Sequence, residues 1–335
     1  MRAYCCGLVV FLMALGPPAA RGACRMRELR EMPVTFVGGL PMVDATINGH
    51  TVRLTVDTGS EASQLFADAA ASLGLTPEPP IGKVDHGAGG ATAVRIAHID
   101  TVIIGNMTAE DVRMFVTERR KSEASGVLGA ETLLRDDVEF DFPHNRIRFF
   151  DPKECKGDQL VYWGSAYSVT SISTRSAGQM EIPVTLNGAP LLGLLDTGSA
   201  VSSLTSTAAA IAGVTWDSPG VVDADLGRSG DKCGGSTCVA VFSTFGVGDE
   251  VIRNARLEFS DSFSANRRMA IGPDASLKEA PQMLLGVDFF RAHRVYISRG
   301  QRNIYLSYVG GPVFGPAQAE RPAAAQPTAA SSPPK

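Results

Sequence analysis

The chain has 335 residues, of which 44% are hydrophobic and 20% charged, with a formal net charge of −4. That is enough apolar material for one large core or two medium ones. The small negative charge does not call for nucleic acid, and the short basic groups Arg119-Arg120-Lys121 and Arg267-Arg268 sit among polar loop residues. The histidines His50, His86, His98, His144 and His293 show no metal-ligand spacing, so neither a metal nor a cofactor is expected.

The amino terminus begins with Arg2 and an apolar run from Cys5 to Leu15, followed by small residues suited to cleavage after Ala20 or Gly22. Residues 1–23 read as a secretory signal peptide. The run is too short to cross a hydrocarbon core of roughly 30 Å as a helix, and no other stretch reads as a span. The mature chain is therefore expected to be secreted or periplasmic. Lipidation at Cys24 is the lesser alternative, because Arg21 stands where bacterial lipoproteins usually carry Leu.

Strands are expected at Val43 to Ile47 and Val52 to Val56, joined by the tight-turn pair Asn48-Gly49. Asp57-Thr58-Gly59-Ser60 follows, then a helical stretch from Glu61 to Leu73 ended by Gly74. Further strands are expected at Ile99 to Ile104, Asp111 to Val116, Asp137 to Asp141 and Ile147 to Phe150. The second half repeats the pattern with strands at Pro183 to Leu186 and Leu191 to Leu195 around Asn187-Gly188. Asp196-Thr197-Gly198-Ser199 comes next, then a helix over Thr205 to Ala212 ended by Gly213. Strands at Val239 to Phe245, Ala255 to Phe259, Arg294 to Ile297 and Asn303 to Ser307 complete it. Many short strands, Gly-rich turns and brief helices predict a mostly β fold of two barrel-like lobes.

The halves are a duplication. Thr46-Ile47-Asn48-Gly49 and its Asp motif recur as Thr185-Leu186-Asn187-Gly188 and its Asp motif at a constant offset of 139 residues. Val127-Leu128-Gly129, with Val138 and Ile147, recurs as Leu284-Leu285-Gly286, with Val295 and Ile304, at an offset of 157. The second half thus carries eighteen extra residues between its two motifs. The expected division is an N-terminal lobe over 24–155, a linker over 156–165, a C-terminal lobe over 166–309, and a disordered Pro- and Ala-rich tail over 310–335.

Cys24, Cys155, Cys233 and Cys238 remain after removal of the leader, an even number suited to an oxidising compartment. Cys233 and Cys238 bracket a hairpin-like tip, and Cys24 and Cys155 flank the first half. These are candidate bridges, and spacing alone leaves the pairing open.

One Asp-Thr-Gly-Ser is an ordinary turn composition. Two copies in duplicated halves that pack about a pseudo-twofold axis can set Asp57 beside Asp196. Two adjacent carboxylates share a proton, so one serves as base and the other as acid toward a water and an amide. Gly59 and Gly198 would allow close backbone approach, and the hydroxyls of Ser60 and Ser199 are expected to bond to the carboxylates.

On these motifs the sequence resembles the bacterial single-chain retropepsin-like aspartic proteases and, more distantly, pepsin, over roughly Pro33 to Ser307. The resemblance implies two pseudo-twofold related aspartic protease lobes with short helices, a peptide or protein substrate, and activity as a monomer. It implies Asp57 and Asp196 as catalytic residues, Thr58 and Thr197 as braces between the two loops, and Gly129 and Gly286 as buttresses. A flap is implied at Val84 to Gly90, with His86, Gly87, Gly89 and Gly90, and its counterpart at Asp223 to Cys238. No tyrosine occurs between Ile81 and His98, so a pepsin-type flap tyrosine is missing. Nineteen residues, 24–42, separate the leader from the first expected strand, too few for a pepsin-length propeptide. The alternative function is a non-catalytic peptide- or protein-binding scaffold of the same fold in the cell envelope.

Overall fold

The computed structural model describes residues 24–82, 84–87, 90–118, 123–175, 178–224, 233, 237–261 and 281–314. Residues 1–23, both basic groups, Gly89, most of the loop between Asp223 and Cys238, and the residues beyond Phe314 lie outside the described residues.

Each half closes into a six-stranded barrel with the same strand order. In the first, Leu40–Ile47, His50–Val56, Gly126–Leu128, Gln64–Phe66, Met107–Thr117 and Arg95–Ile104 neighbour one another in that sequence. The last returns to the first through Ala45 opposite Ile104 and Ile47 opposite Val102. In the second, the order is Met180–Leu186, Ala189–Leu195, Met283–Leu285, Ser203–Thr205, Glu250–Ser260 and Thr237–Val247, closed through Thr185 opposite Gly246. Closure leaves no free edge within either set of six. Alternation drives it: Val52, Leu54 and Val56 are buried on one face of their strand, each worth about 1.5–3 kcal/mol when removed from water. Asn48-Gly49 and Asn187-Gly188 take positive φ values of 48°, 84°, 50° and 81°, the conformation a two-residue hairpin demands.

A third sheet joins the barrels. Arg25–Pro33, Arg146–Lys153 and Asp137–Asp141 from the first half continue into His293–Ser298, Asn303–Tyr308 and Ser168–Ser171 from the second. At its seam Glu139 pairs with Tyr296, flanked by Val138 opposite Ile297 and Phe140 opposite Val295. Glu139 and Tyr296 are 157 residues apart, the offset of the second repeat, so the pseudo-twofold axis passes through this pair. Glu139 is wholly buried and is paid for by Arg148 at 2.8 Å, Arg294 of the other lobe at 2.7 Å, and the Tyr162 hydroxyl. A buried carboxylate without such donors would be strongly destabilising. The connecting residues are packed, too: Leu160, Tyr162 and Trp163 lie with Phe150, Tyr296 and Tyr305 on the sheet. Cys24 and Cys155 are bonded there, 4.4 Å apart at Cα, and Cys233 pairs with Cys238.

Three expectations change. The helix expected over 61–73 is only Ala67–Ser72, because Gln64–Phe66 is drawn into the slot between Gly126–Leu128 and Met107–Thr117. The helix expected over Thr205 to Ala212 is found as Ser206–Ile211, capped by Thr205 and Ala212, after the inserted strand Ser203–Thr205. The segment before the first expected strand is itself a strand, Arg25–Pro33, paired with Arg146–Lys153. At the other end, Phe314 is buried against Phe245 and Phe289, so packed structure continues into the stretch read as tail.

Candidate active site

The two Asp loops meet where the barrels face each other. Each follows the second strand of its barrel and is hung from the strand alongside: Asp57 N–H donates to the Leu128 carbonyl and Asp196 N–H to the Leu285 carbonyl, both at 3.0 Å. Between the loops the two threonines make four bonds, two of them with each other. The Thr58 amide donates to Thr197 Oγ1 at 3.0 Å and the Thr197 amide to Thr58 Oγ1 at 3.1 Å. The Thr58 hydroxyl donates to the Leu195 carbonyl at 2.8 Å and that of Thr197 to the Val56 carbonyl at 2.9 Å. Both threonines are fully buried, so each hydroxyl both donates and accepts with no water to replace a lost partner.

That brace fixes the carboxylates. A methyl group placed on Gly59 would overlap the Asp196 carboxylate, and one on Gly198 the Asp57 carboxylate. Each glycine is therefore required by the aspartate of the opposite lobe. Gly59 and Ser60 amides donate to Asp57 Oδ1, both at 2.9 Å, and the Gly198 amide donates to Asp196 Oδ1 at 3.0 Å. Burial, and next the Asp57 charge alongside, push the Asp196 carboxyl well above the usual carboxylate range. The Gly198 and Ser199 amides pull the other way without reversing it. The proton belongs to the pair.

Residues 43–132, which span most of the first barrel and its Asp loop, match the family described as Aspartyl protease. The match likens the first barrel and its Asp loop to that family. No curated protein matches it. The match ends shortly after Gly129, and the second barrel repeats the same strand order and loop contacts, so the two-lobed aspartic protease fold accounts for the whole packed chain.

Within that fold the serines depart from expectation. The Ser60 hydroxyl donates to the Ala62 carbonyl at 3.1 Å and that of Ser199 to the Val201 carbonyl at 2.8 Å. The carboxylates receive main-chain amides instead, and the hydroxyls stabilise the chain where it turns away. Gly129 and Gly286 lie tightly against Ala62 and Val201, where an added methyl would approach main-chain atoms within 2.5 and 2.6 Å. The following amides, Ala130 and Val287, donate to the Ser60 and Ser199 carbonyls, both at 2.8 Å.

A further support was missed in the sequence. Ser63 Oγ accepts from the Gly129 amide at 3.0 Å, and Ser202 Oγ from the Gly286 amide at 2.9 Å. Carboxylates then hold the serines: Glu131 accepts from the Ser63 amide at 2.7 Å, and Asp288 accepts from the Ser202 amide at 2.9 Å and its hydroxyl at 2.7 Å. Ser63 and Ser202 obey the 139-residue offset, and Glu131 and Asp288 the 157-residue offset, so extending the repeat by three residues past each motif would have found them.

The flap stretch forms a hairpin of Val84–Gly87 and Gly90–Ala93, with His86 opposite Ala91 and Gly87 opposite Gly90. In the second lobe Val222–Asp223 pairs with Cys238 and Val239.

Proposed function

We propose that the chain is an aspartic endopeptidase in which Asp57 and Asp196 together activate a water against a peptide bond. The observation that carries this reading is the reciprocal fit of each glycine to the opposite carboxylate, which sets the two acids side by side with a raised affinity for one proton. The ionised member takes a proton from water as its oxygen attacks the amide carbon, and the protonated member gives its proton to the carbonyl oxygen. The resulting diol collapses when the acid formed in the first step protonates the amide nitrogen, the other carboxylate takes a proton from one diol hydroxyl, and the C–N bond breaks as the carbonyl re-forms. The carboxylate pair ends with its single proton restored.

One chain supplies both aspartates, so the monomer is the proposed active unit. The leader-like amino terminus supports export, and the Cys24–Cys155 bond is compatible with an extracytoplasmic setting. That bond also commits the Cys24 sulfur that a lipid anchor would need.

The test is cleavage of an unstructured peptide library from about pH 3 to about pH 8, beside Asp57→Ala and Asp196→Ala. Either substitution should abolish cleavage. A folded wild-type protein that binds peptides but cuts none would replace the enzyme with a peptide-binding scaffold.

A further inference from the structure

The two lobes are not equivalent beside the Asp loops. Gln179 immediately precedes the strand Met180–Leu186, and its side-chain Nε2 donates to the Gly59 carbonyl of the opposite lobe. Gly59 lies between the carboxylates, since its amide donates to Asp57 and its Cα abuts Asp196. The Gln179 amide is thus one residue from the reacting pair, on its second-lobe side. Its backbone is held by a hairpin: the Arg175 amide donates to the Gln179 carbonyl at 2.9 Å, and the Arg175 guanidinium pairs with the nearly buried Glu181 at 2.7 Å. At the 139-residue offset the counterpart of Gln179 is Leu40, which opens the equivalent strand Leu40–Ile47 and has no donor to offer the Gly198 carbonyl.

We infer that Gln179 is a specificity-determining residue that makes the cleft directional. With Nε2 fixed on Gly59, its Oε1 presents a single acceptor beside the dyad, and Gln179 is only partly buried. That side of the cleft selects a substrate residue carrying an N–H or O–H donor, whereas the Leu40 side selects an apolar one. The substrate class is a peptide with a polar, donor-bearing residue on one side of the scissile bond and an aliphatic residue on the other. This deepens the endopeptidase reading and rests on it for the location of the scissile bond.

The experiment has two arms. Cleavage by wild type and Gln179→Leu is profiled on peptide pairs that differ at one position between Asn or Ser and Leu. Binding of the same fluorescent peptides is measured on the Asp57→Asn protein with and without Gln179→Leu. The expected result is a preference of roughly tenfold for the donor-bearing residue at one position, the size of one hydrogen bond, lost when Gln179 becomes the residue found at position 40. Cleavage with a preference untouched by Gln179→Leu overturns the inference and leaves the endopeptidase reading standing. Selective binding that Gln179→Leu abolishes, without cleavage by wild type, supports Gln179 and overturns the enzyme. Peptides that neither bind nor are cut overturn both.

Discussion

The two Asp loops share the threonine contacts and the glycines that abut the opposite carboxylates, and differ in what stands behind them. In the second lobe Asp288 is almost buried and takes both the amide and the hydroxyl of Ser202. In the first lobe Glu131 is exposed and takes the Ser63 amide and the Thr132 hydroxyl, the latter at 3.1 Å, while the Ser63 hydroxyl meets that of Thr132 at 3.2 Å instead of the carboxylate. Likewise Gln179 reaches the Gly59 carbonyl where Leu40 has nothing to reach with. The difference teaches where duplicated halves are free to diverge. Atoms that set the two carboxyls side by side stay matched across the axis, whereas their supports need only hold a position and can do so by different means.

The comparison can be broken at several depths. Gly198→Ala and Gly59→Ala strike the matched layer: each methyl would collide with the opposite carboxylate, and cleavage should fall more than about a thousandfold, since displacement by an ångström already costs about a hundredfold. Peptide turnover by refolded variants measures this, and near-normal rates would mean that the carboxylates do not face each other as described. Thr58→Val and Thr197→Val remove a hydroxyl that serves two buried main-chain partners, at about 2–4 kcal/mol each. Urea denaturation should return similar losses for both, because the contacts are reciprocal.

The unmatched layer should respond unequally. Asp288→Ala strands the Ser202 amide and hydroxyl away from water, costing about 2–3 kcal/mol, while Glu131→Ala removes two exposed bonds that water replaces, costing about 0.5–1 kcal/mol. Equal costs in the same denaturation series would show that the difference in burial has no energetic weight. The smallest effect concerns pH. Because the Asp196 carboxyl is raised from 3.8 in the folded chain, the folded state binds the extra proton between the ordinary and the raised value, and stability falls as pH rises through that window. Asp196→Asn has no such proton to lose. It should melt above wild type at neutral pH, with the gap closing near about pH 3, where both states of wild type are protonated. A gap that does not change with pH would argue that burial and the neighbouring Asp57 do not raise the Asp196 carboxyl.

Much of this was legible in the amino acids. The constant offset of 139 residues identified the paired loops. Asn48-Gly49 and Asn187-Gly188 placed two hairpins, and alternating apolar residues located the long strands to within a few positions. The three-residue strands at Gln64–Phe66, Gly126–Leu128 and Ser203–Thr205 carry too few positions for any periodicity to register. Their state is set by the neighbours on either side, not by their own composition. Ser60 and Ser199 were read as carboxylate donors because a hydroxyl beside an acid suggests it; the main-chain amides of the turn were nearer.

The sequence by itself determined that the molecule is doubled and which residues its halves must share, because repetition survives in the order of residues without any coordinates. Tertiary structure alone decided which atoms meet across the axis. The exchange between Thr58 and Thr197, the fit of Gly59 against Asp196, and the reach of Gln179 to Gly59 all join residues more than a hundred positions apart. Such contacts have no local signature, since their geometry is fixed by two closed barrels and the shared sheet that holds them at one distance.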